Sequence, residues 1–184
     1  MKNDYAYRLV VESPLGAMLI QGSEKKIQYL KFVDAETDAE TDADIDGIGQ
    51  ADWFASCTEQ LQQYFRGERT DFNLPIDPQG TDFQQRVWHA LIDIKQGEVA
   101  SYQQIAIAIG NEKSVRAVAS ANARNPIWLL IPCHRVIGGD CALRGYAGGI
   151  ERKARLLALE GFDFNIDDLG LSNAKTKLIL ESID

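Results

Sequence analysis

Cys133 and His134 stand side by side in Pro132-Cys133-His134-Arg135-Val136, directly after the apolar run Trp128-Leu129-Leu130-Ile131. A thiol beside an ionisable base has the composition of an activated nucleophile, because the thiolate attacks and its population depends on a nearby proton acceptor. The run before the pair predicts a buried strand that delivers it to its end. Adjacent side chains in an extended strand point to opposite faces, so a direct thiol–imidazole pair requires a tight turn or a bridging water. A cysteine closing an apolar run equally fits a small, inert, buried hydrophobe, and the rest of the chain has to decide. Cys57 falls in a helical apolar stripe, where packing explains it, and His89 lies off the stripe of its helix. With these two histidines and no Cys-x-x-Cys, a structural zinc site is not expected, and no metal is assigned.

The elements around the pair read as an α+β chain. Three short alternating runs, Tyr7 to Val11, Ala17 to Gln21 and Ile27 to Phe32, separated by Ser13-Pro14 and Gly22-Ser23, predict a small antiparallel sheet. The acidic stretch 34–46, with Ala-Glu-Thr-Asp twice in tandem, reads as a solvated loop. Phe54, Cys57, Leu61 and Tyr64 or Phe65 share one helical face that stops at Gly67. The segment from Asp71 to Gly80, with Pro75 and Pro78, reads as a linker. This divides the chain into a sheet domain over 1–75, a linker over 76–80, a second domain over 81–162 and an acidic tail over 163–184.

In the second domain Thr81 and Gln84 form a capping box ahead of a helix with Phe83, Val87, Leu91 and Ile94 on its buried stripe. Ser101 and Gln104 cap a short helix with Ile105, Ala108 and Ile109 facing inward, ended by Gly110-Asn111. Ser114 can cap the next helix, Val115 to Ala123. Two helices joined by a tight glycine-containing turn form a helix-turn-helix. The second of them carries Ala117, Ala119, Ser120, Ala121 and Ala123 beside Arg116, small side chains that let the helix come close to whatever it meets and that fit a tightly packed core helix in equal measure. A last helix over about Ile150 to Leu159 leaves Glu160 in its final turn, where a carboxylate opposes the helix dipole unless a partner compensates.

The net charge is −8, but residues 81–160 alone carry 10 Lys+Arg against 7 Asp+Glu. That local balance permits a phosphate-facing surface on an acidic molecule. No apolar run is long enough to span a membrane, the start lacks a signal-peptide core, and three cysteines without paired spacing fit a reducing compartment. A cytoplasmic protein is the expectation.

Six blocks in order, Tyr102-Gln103-Gln104, Arg116-Ala117-Val118, Asn125-Pro126, Pro132-Cys133-His134-Arg135-Val136, Gly145-Tyr146-Ala147-Gly148-Gly149 and Lys153 with Glu160-Gly161, resemble the methylated-DNA–protein-cysteine methyltransferases. The resemblance is strong over 81–161 and loose over the sheet domain. It implies a ribonuclease H-like first domain and a winged-helix-like second one. It implies repair of O6-alkylguanine in double-stranded DNA by a monomer that needs no cofactor and is consumed in one turnover. Cys133 would accept the alkyl group, His134 would take the thiol proton through a water, Glu160 would hold the imidazole, and Asn125 would brace the turn before the active site. Base flipping through the minor groove would use the alanine-rich helix, with Ala117, Ala119 and Ser120 approaching closely and Arg116 filling the gap. Tyr102 and Gln103 would meet the DNA, and Tyr102, Trp128, Cys133, Val136, Tyr146 and Ala147 would line the base pocket.

Two departures stand out. Trp128 occupies a position where relatives usually carry a small residue or proline, and its ring is expected to narrow the pocket and favour methyl over benzyl groups. Ala147 replaces the serine of some relatives. Rival readings are a helix-turn-helix regulator, an alkylguanine-sensing protein without turnover and a cysteine hydrolase. The regulator needs no thiol, the sensors carry tryptophan in place of Cys133, and the hydrolase lacks an oxyanion-hole loop signature.

Overall fold

The computed structural model describes residues 5–33 and 53–162. The acidic stretch 34–46 and the tail 163–184 lie outside the described residues. The chain divides into two units, Met1–Thr81 with Asn125–Leu130, and Asp82–Arg124 with Ile131–Asp184.

In the first unit β1 (Tyr7–Val11), β2 (Met18–Gly22) and β3 (Ile27–Phe32) form an antiparallel sheet in the order β1-β2-β3. The register places Leu9 opposite Ile20 and Ile20 opposite Leu30, so one face carries Ile20 and Leu30 into the core, both fully buried. Period-2 alternation produces this face directly. Helix α1 (Trp53–Phe65) buries Trp53, Phe54, Cys57, Leu61 and Tyr64. The Trp53 indole N–H donates to the Ser23 carbonyl at 2.9 Å, and Phe54 meets Tyr7 edge to face at 5.9 Å. Burial raises the Cys57 thiol to about 12, which keeps it a neutral packing group. Gly67 ends the helix region at φ +70°.

Two later segments return to this sheet. Ile27 N–H donates to Pro75 O and Asp77 N–H to Ile27 O, both at 2.8 Å, so the expected linker is tied to β3 at these residues. Leu30 N–H donates to Pro126 O at 2.9 Å and Trp128 N–H to Leu30 O at 2.7 Å, making a parallel bridge from Ile127 to Leu30. Pairing between residues so far apart in sequence leaves no mark on local periodicity.

The second unit is built on α2 (Asp82–Ile92), β4 (Ala100–Ser101), α3 (Tyr102–Ala108), α4 (Val115–Ala123), β5 (Val136–Ile137) and α5 (Ile150–Leu159). Helices α2, α3 and α4 pack on one another, and the Trp88 indole of α2 donates to the Ala121 carbonyl of α4 at 3.0 Å. Both halves of the Ser101–Gln104 capping box are present. On α3, Ile105 and Ala106 are buried while Ala108 is exposed, correcting the expected inward position of Ala108. Ile105, Ala106 and Ile109 share a face, and Ala108 falls about 100° from its centre. Ser114 does not cap α4: its hydroxyl donates to Asn111 O at 2.6 Å, closing a short 3-10 turn, Glu112–Ser114, between the two helices.

The apolar run before Cys133 is not a strand. Residues 128–130 form a turn, with Leu129 at φ +69°, although Trp128, Leu129, Leu130 and Ile131 are all buried. Burial without alternation looks the same for a buried strand and a buried turn, and only the backbone tells them apart. β5 follows the site and pairs in parallel with β4, Ala100 opposite Val136 and Ser101 opposite Ile137.

Candidate active site

Cys133 opens a 3-10 turn, Cys133–Arg135, with Pro132 at its N-cap. Proline before the turn fixes φ, and the turn removes the opposite-face geometry that an extended Cys133-His134 pair would have had. Cys133 and His134 are both buried.

His134 Nε2 lies 2.9 Å from Glu160 Oε1. A carboxylate only accepts, so the hydrogen sits on Nε2 and the neutral ring keeps its lone pair on Nδ1. Nδ1 is buried and has no hydrogen-bond partner among the described residues. Burial pulls the His134 pKa below its ordinary range, assisted by the charges of Arg135 and Lys153, against the pull of Glu160. A neutral imidazole with an available basic nitrogen is the state in which histidine accepts a proton.

Glu160 caps the C-terminal end of α5, its backbone N–H donating to Leu156 O and Leu157 O, so its carboxylate stands at the negative end of the helix dipole. Arg135 supplies the compensating charge. Its Nε donates to Oε2 at 2.9 Å, one terminal nitrogen to Oε1 at 2.8 Å, and the other to Ile94 O at 2.7 Å. Burial pushes the Glu160 carboxyl up, but the hydrogen bonds and charges of His134 and Arg135 outweigh it and hold it at about 2. The conflict with the helix dipole is thereby resolved inside the protein. Bidentate guanidinium geometry also fixes the carboxylate in one orientation.

Lys153, on α5, is fully buried with its ammonium donating to the carbonyl oxygens of Val136 and Arg144, the latter at 2.8 Å. Burial lowers it to about 8, against the charge of a Cys133 thiolate. Burial and that same charge raise Tyr102, and raise Tyr146 well above the usual phenol range. Tyr102, Tyr146 and Lys153 therefore share the electrostatic surroundings of the thiol. The Tyr102 hydroxyl donates to the carbonyls of Arg144 and Gly145, at 3.4 and 3.5 Å. Gly145 has φ +50°, a left-handed backbone that a side chain would strain, and it lies against that hydroxyl.

Within the second unit the structure thus brings Cys133, His134 and Glu160 together, with Tyr102, Val136 and Tyr146 around them. Ala147 is exposed in the turn before α5. On α4, Arg116 and Ala117 are exposed and Ala119 and Ser120 half-buried, and Arg124 reaches back to the Ser120 hydroxyl. Gln103 is exposed, its amide donating to Glu112 O at 3.2 Å. Asn125 and Trp128 fold with the first unit. There the Asn125 side-chain oxygen accepts from Ile127 N–H at 2.9 Å. The Trp128 indole N–H donates to Asn125 O at 3.1 Å, and its ring packs on Phe32 at 5.9 Å. Arg135 and Lys153 carry no role in the sequence reading, although both lie in its motifs. Their signal is a charged residue within an otherwise buried stretch, coupled with the need of Glu160 for a cation.

A buried cysteine next in sequence to a histidine that is held by an ionised carboxylate, in a unit whose neighbouring helices form a helix-turn-helix, has the make-up of the class of DNA-binding proteins that carry a cysteine nucleophile. The comparisons agree. The 6-O-methylguanine DNA methyltransferase DNA binding domain matches residues 82–162, and the ribonuclease-like domain of the same proteins matches 6–78. The methylated-DNA–protein-cysteine methyltransferase of Methanosarcina barkeri is 45% identical over 154 residues, covering 84% of this chain and 96% of the relative. That of Mycobacterium leprae is 43% identical over 150 residues, covering 82% and 89%. The crystal structure of Mycobacterium tuberculosis OGT in complex with DNA is 38% identical with a TM-score of 0.75, covering 96% of this chain and 99% of that one. The chain belongs to the 6-O-methylguanine DNA methyltransferase family.

Proposed function

We propose that the protein repairs O6-alkylguanine in double-stranded DNA, as a monomer, by irreversible transfer of the alkyl group to Cys133. The observation that carries this reading is the Cys133–His134 turn with His134 Nε2 held by Glu160, leaving Nδ1 as the basic atom. A water between the thiol and Nδ1 passes the thiol proton to His134. The thiolate then attacks the alkyl carbon in line, the S–C bond forms, the C–O6 bond breaks with its electron pair going to the base, and the released guanine is reprotonated. A thioether is a poor leaving group, so each molecule acts once.

The target base lies inside a duplex and must rotate out before a buried thiol can reach it. Exposed Arg116 and Ala117 and the small side chains of Ala119 and Ser120 suit α4 to a close approach at the minor groove, with Arg116 filling the vacated stack. Tyr102 and Gln103 meet the flanking phosphate, and Val136, Tyr146 and Ala147 read the base edge. For Asn125 and Trp128 the support is the family resemblance. The family relationship favours repair over the regulator and hydrolase readings. Among the described residues no helix is long and apolar enough to cross a membrane.

Intact-protein mass spectrometry after mixing with duplex DNA containing O6-methylguanine tests the proposal. The expected result is one added methyl, mapped to Cys133 and absent in Cys133→Ser. An unchanged mass, or a methyl retained in Cys133→Ser, refutes it. Lesion-independent binding without transfer would point to the regulator instead.

A further inference from the structure

A surface pocket of about 370 Å³ opens in the second unit between the start of α3 and the loop after β5. Ser101, Tyr102, Gln103, Gly139, Asp140 and Arg144 line it. Arg144 is held in an unusual way. Its carbonyl oxygen accepts from the buried Lys153 ammonium and from the Tyr102 hydroxyl, so its backbone is anchored to groups around the nucleophile. Its guanidinium reaches out to the Asp140 carboxylate, with 62% of the Arg144 side chain and 56% of that of Asp140 exposed. The loop that pairs them folds over Gly138, where a side chain would collide with Asp140 and come within 3.2 Å of Arg144 Nε. The absence of a side chain at Gly138 leaves room for both groups to lie over it.

We propose that Arg144 is a phosphate-binding residue that exchanges Asp140 for a phosphodiester of the DNA strand carrying the flipped base. The proposal rests on the repair reading above and adds a contact to it. An ion pair this exposed is weak and screened by salt, so its exchange costs little. Guanidinium matches a phosphate with the same forked geometry that it offers a carboxylate. Asp140 keeps a partner after the exchange, since its carboxylate also accepts the Ala142 N–H at 3.3 Å. Beside the cation the pocket wall carries the exposed Gln103 amide, which keeps one N–H beyond the one given to Glu112 O. In a chain of net charge −8, holding the arginine on an internal carboxylate until a polyanion arrives masks a cation from other anions.

The test measures binding to a duplex containing one O6-methylguanine, with all proteins carrying Cys133→Ser so that no transfer occurs. Fluorescence anisotropy is recorded from about 50 to 200 mM salt. Each phosphate contact contributes a slope near 0.9 in log K against log salt, so Arg144→Gln should bind more weakly, by a gap that narrows roughly threefold across that range. Asp140→Asn should bind more tightly, and its gain should largely disappear when combined with Arg144→Gln. An Arg144→Gln slope equal to that of the parent, or an Asp140→Asn gain of the same size in both backgrounds, overturns the proposal. Both side chains are exposed, so the variants keep the fold, and circular dichroism verifies it. Methyl transfer to Cys133 in the unmodified protein keeps the two ideas apart. Transfer with an unchanged slope defeats only the Arg144 contact, whereas no transfer defeats the repair reading.

Discussion

Replacing Glu160 by glutamine changes one atom and should destabilise the protein by about 3 kcal/mol or more at neutral pH. The carboxylate accepts three donors: His134 Nε2 and one Arg135 terminal nitrogen on Oε1, and Arg135 Nε on Oε2. Glutamine has one acceptor oxygen, and its amide nitrogen must face a donor. The variant therefore leaves a buried guanidinium without its counter-ion, a change that typically costs about 3–5 kcal/mol. The pKa gives an independent route to the same size. Glu160 is held at about 2 against an ordinary 4.5, and at about 1.4 kcal/mol per unit this is again about 3 kcal/mol. A carboxyl depressed in the folded state stabilises above its unfolded pKa, and the contribution is lost as pH falls from about 4.5 toward about 2. By pH 3 about 2 kcal/mol should be gone. His134 adds a loss of its own. Its folded pKa lies below the ordinary 6.5, so the unfolded chain binds the proton first and stability declines from about that pH downward in both proteins. Urea unfolding of the parent and Glu160→Gln at pH 7, 4.5 and 3 separates the two effects. The stability gap should be full at pH 7 and mostly closed at pH 3. A gap below about 1 kcal/mol at pH 7, or one that does not change with pH, would refute the account of Glu160 as an ionised, arginine-held orienter.

Other perturbations reach the same network from different sides. Arg135→Ala should cost about 3–5 kcal/mol by leaving the Glu160 carboxylate buried with His134 alone. Arg135→Lys, which keeps the charge but not the fork, should recover part of that stability in urea unfolding yet still slow methyl transfer in a quenched time course. If Arg135→Lys transfers at the parent rate, the bidentate geometry is not needed. Trp128→Ala should cost about 3–5 kcal/mol, because it removes a buried ring packed on Phe32 and the indole hydrogen bond to Asn125 O. A change of under about 1 kcal/mol in its urea midpoint would show that the ring contributes little to the first unit.

The structure separates what could be read from the residues from what could not. The sheet was legible because its strands alternate and end at turn residues, and the last helix because its apolar spacing and Gly161 bound it. The turn at Cys133 was not, since four consecutive buried apolar residues carry no period, and Leu129 takes a left-handed conformation that nothing in its side chain announces. Nor was the return of residues 125–130 to the first sheet, which depends on backbone pairing with Leu30 across the chain. The candidate site was visible as residue types, with Cys133, His134 and Glu160 named and the unsatisfied position of Glu160 noticed. Its cation was not identified, because arginine in a sequence reads as surface.

The position of Arg135 has a mechanistic implication that the triad alone lacks. A glutamate that only touched histidine could share a proton with it, and burial would favour the neutral acid. With the guanidinium on both oxygens the carboxylate stays ionised, so His134 must donate from Nε2 and is left basic at Nδ1. Burial meanwhile keeps the ring neutral until a proton arrives. Arg135 thus selects the tautomer of the base next to the thiol, and it does so from the 3-10 turn that also carries Cys133 and His134. In the proposed reaction three consecutive side chains would supply the nucleophile, the base and the ion that orients the base, and the carboxylate at the end of α5 holds the last two together.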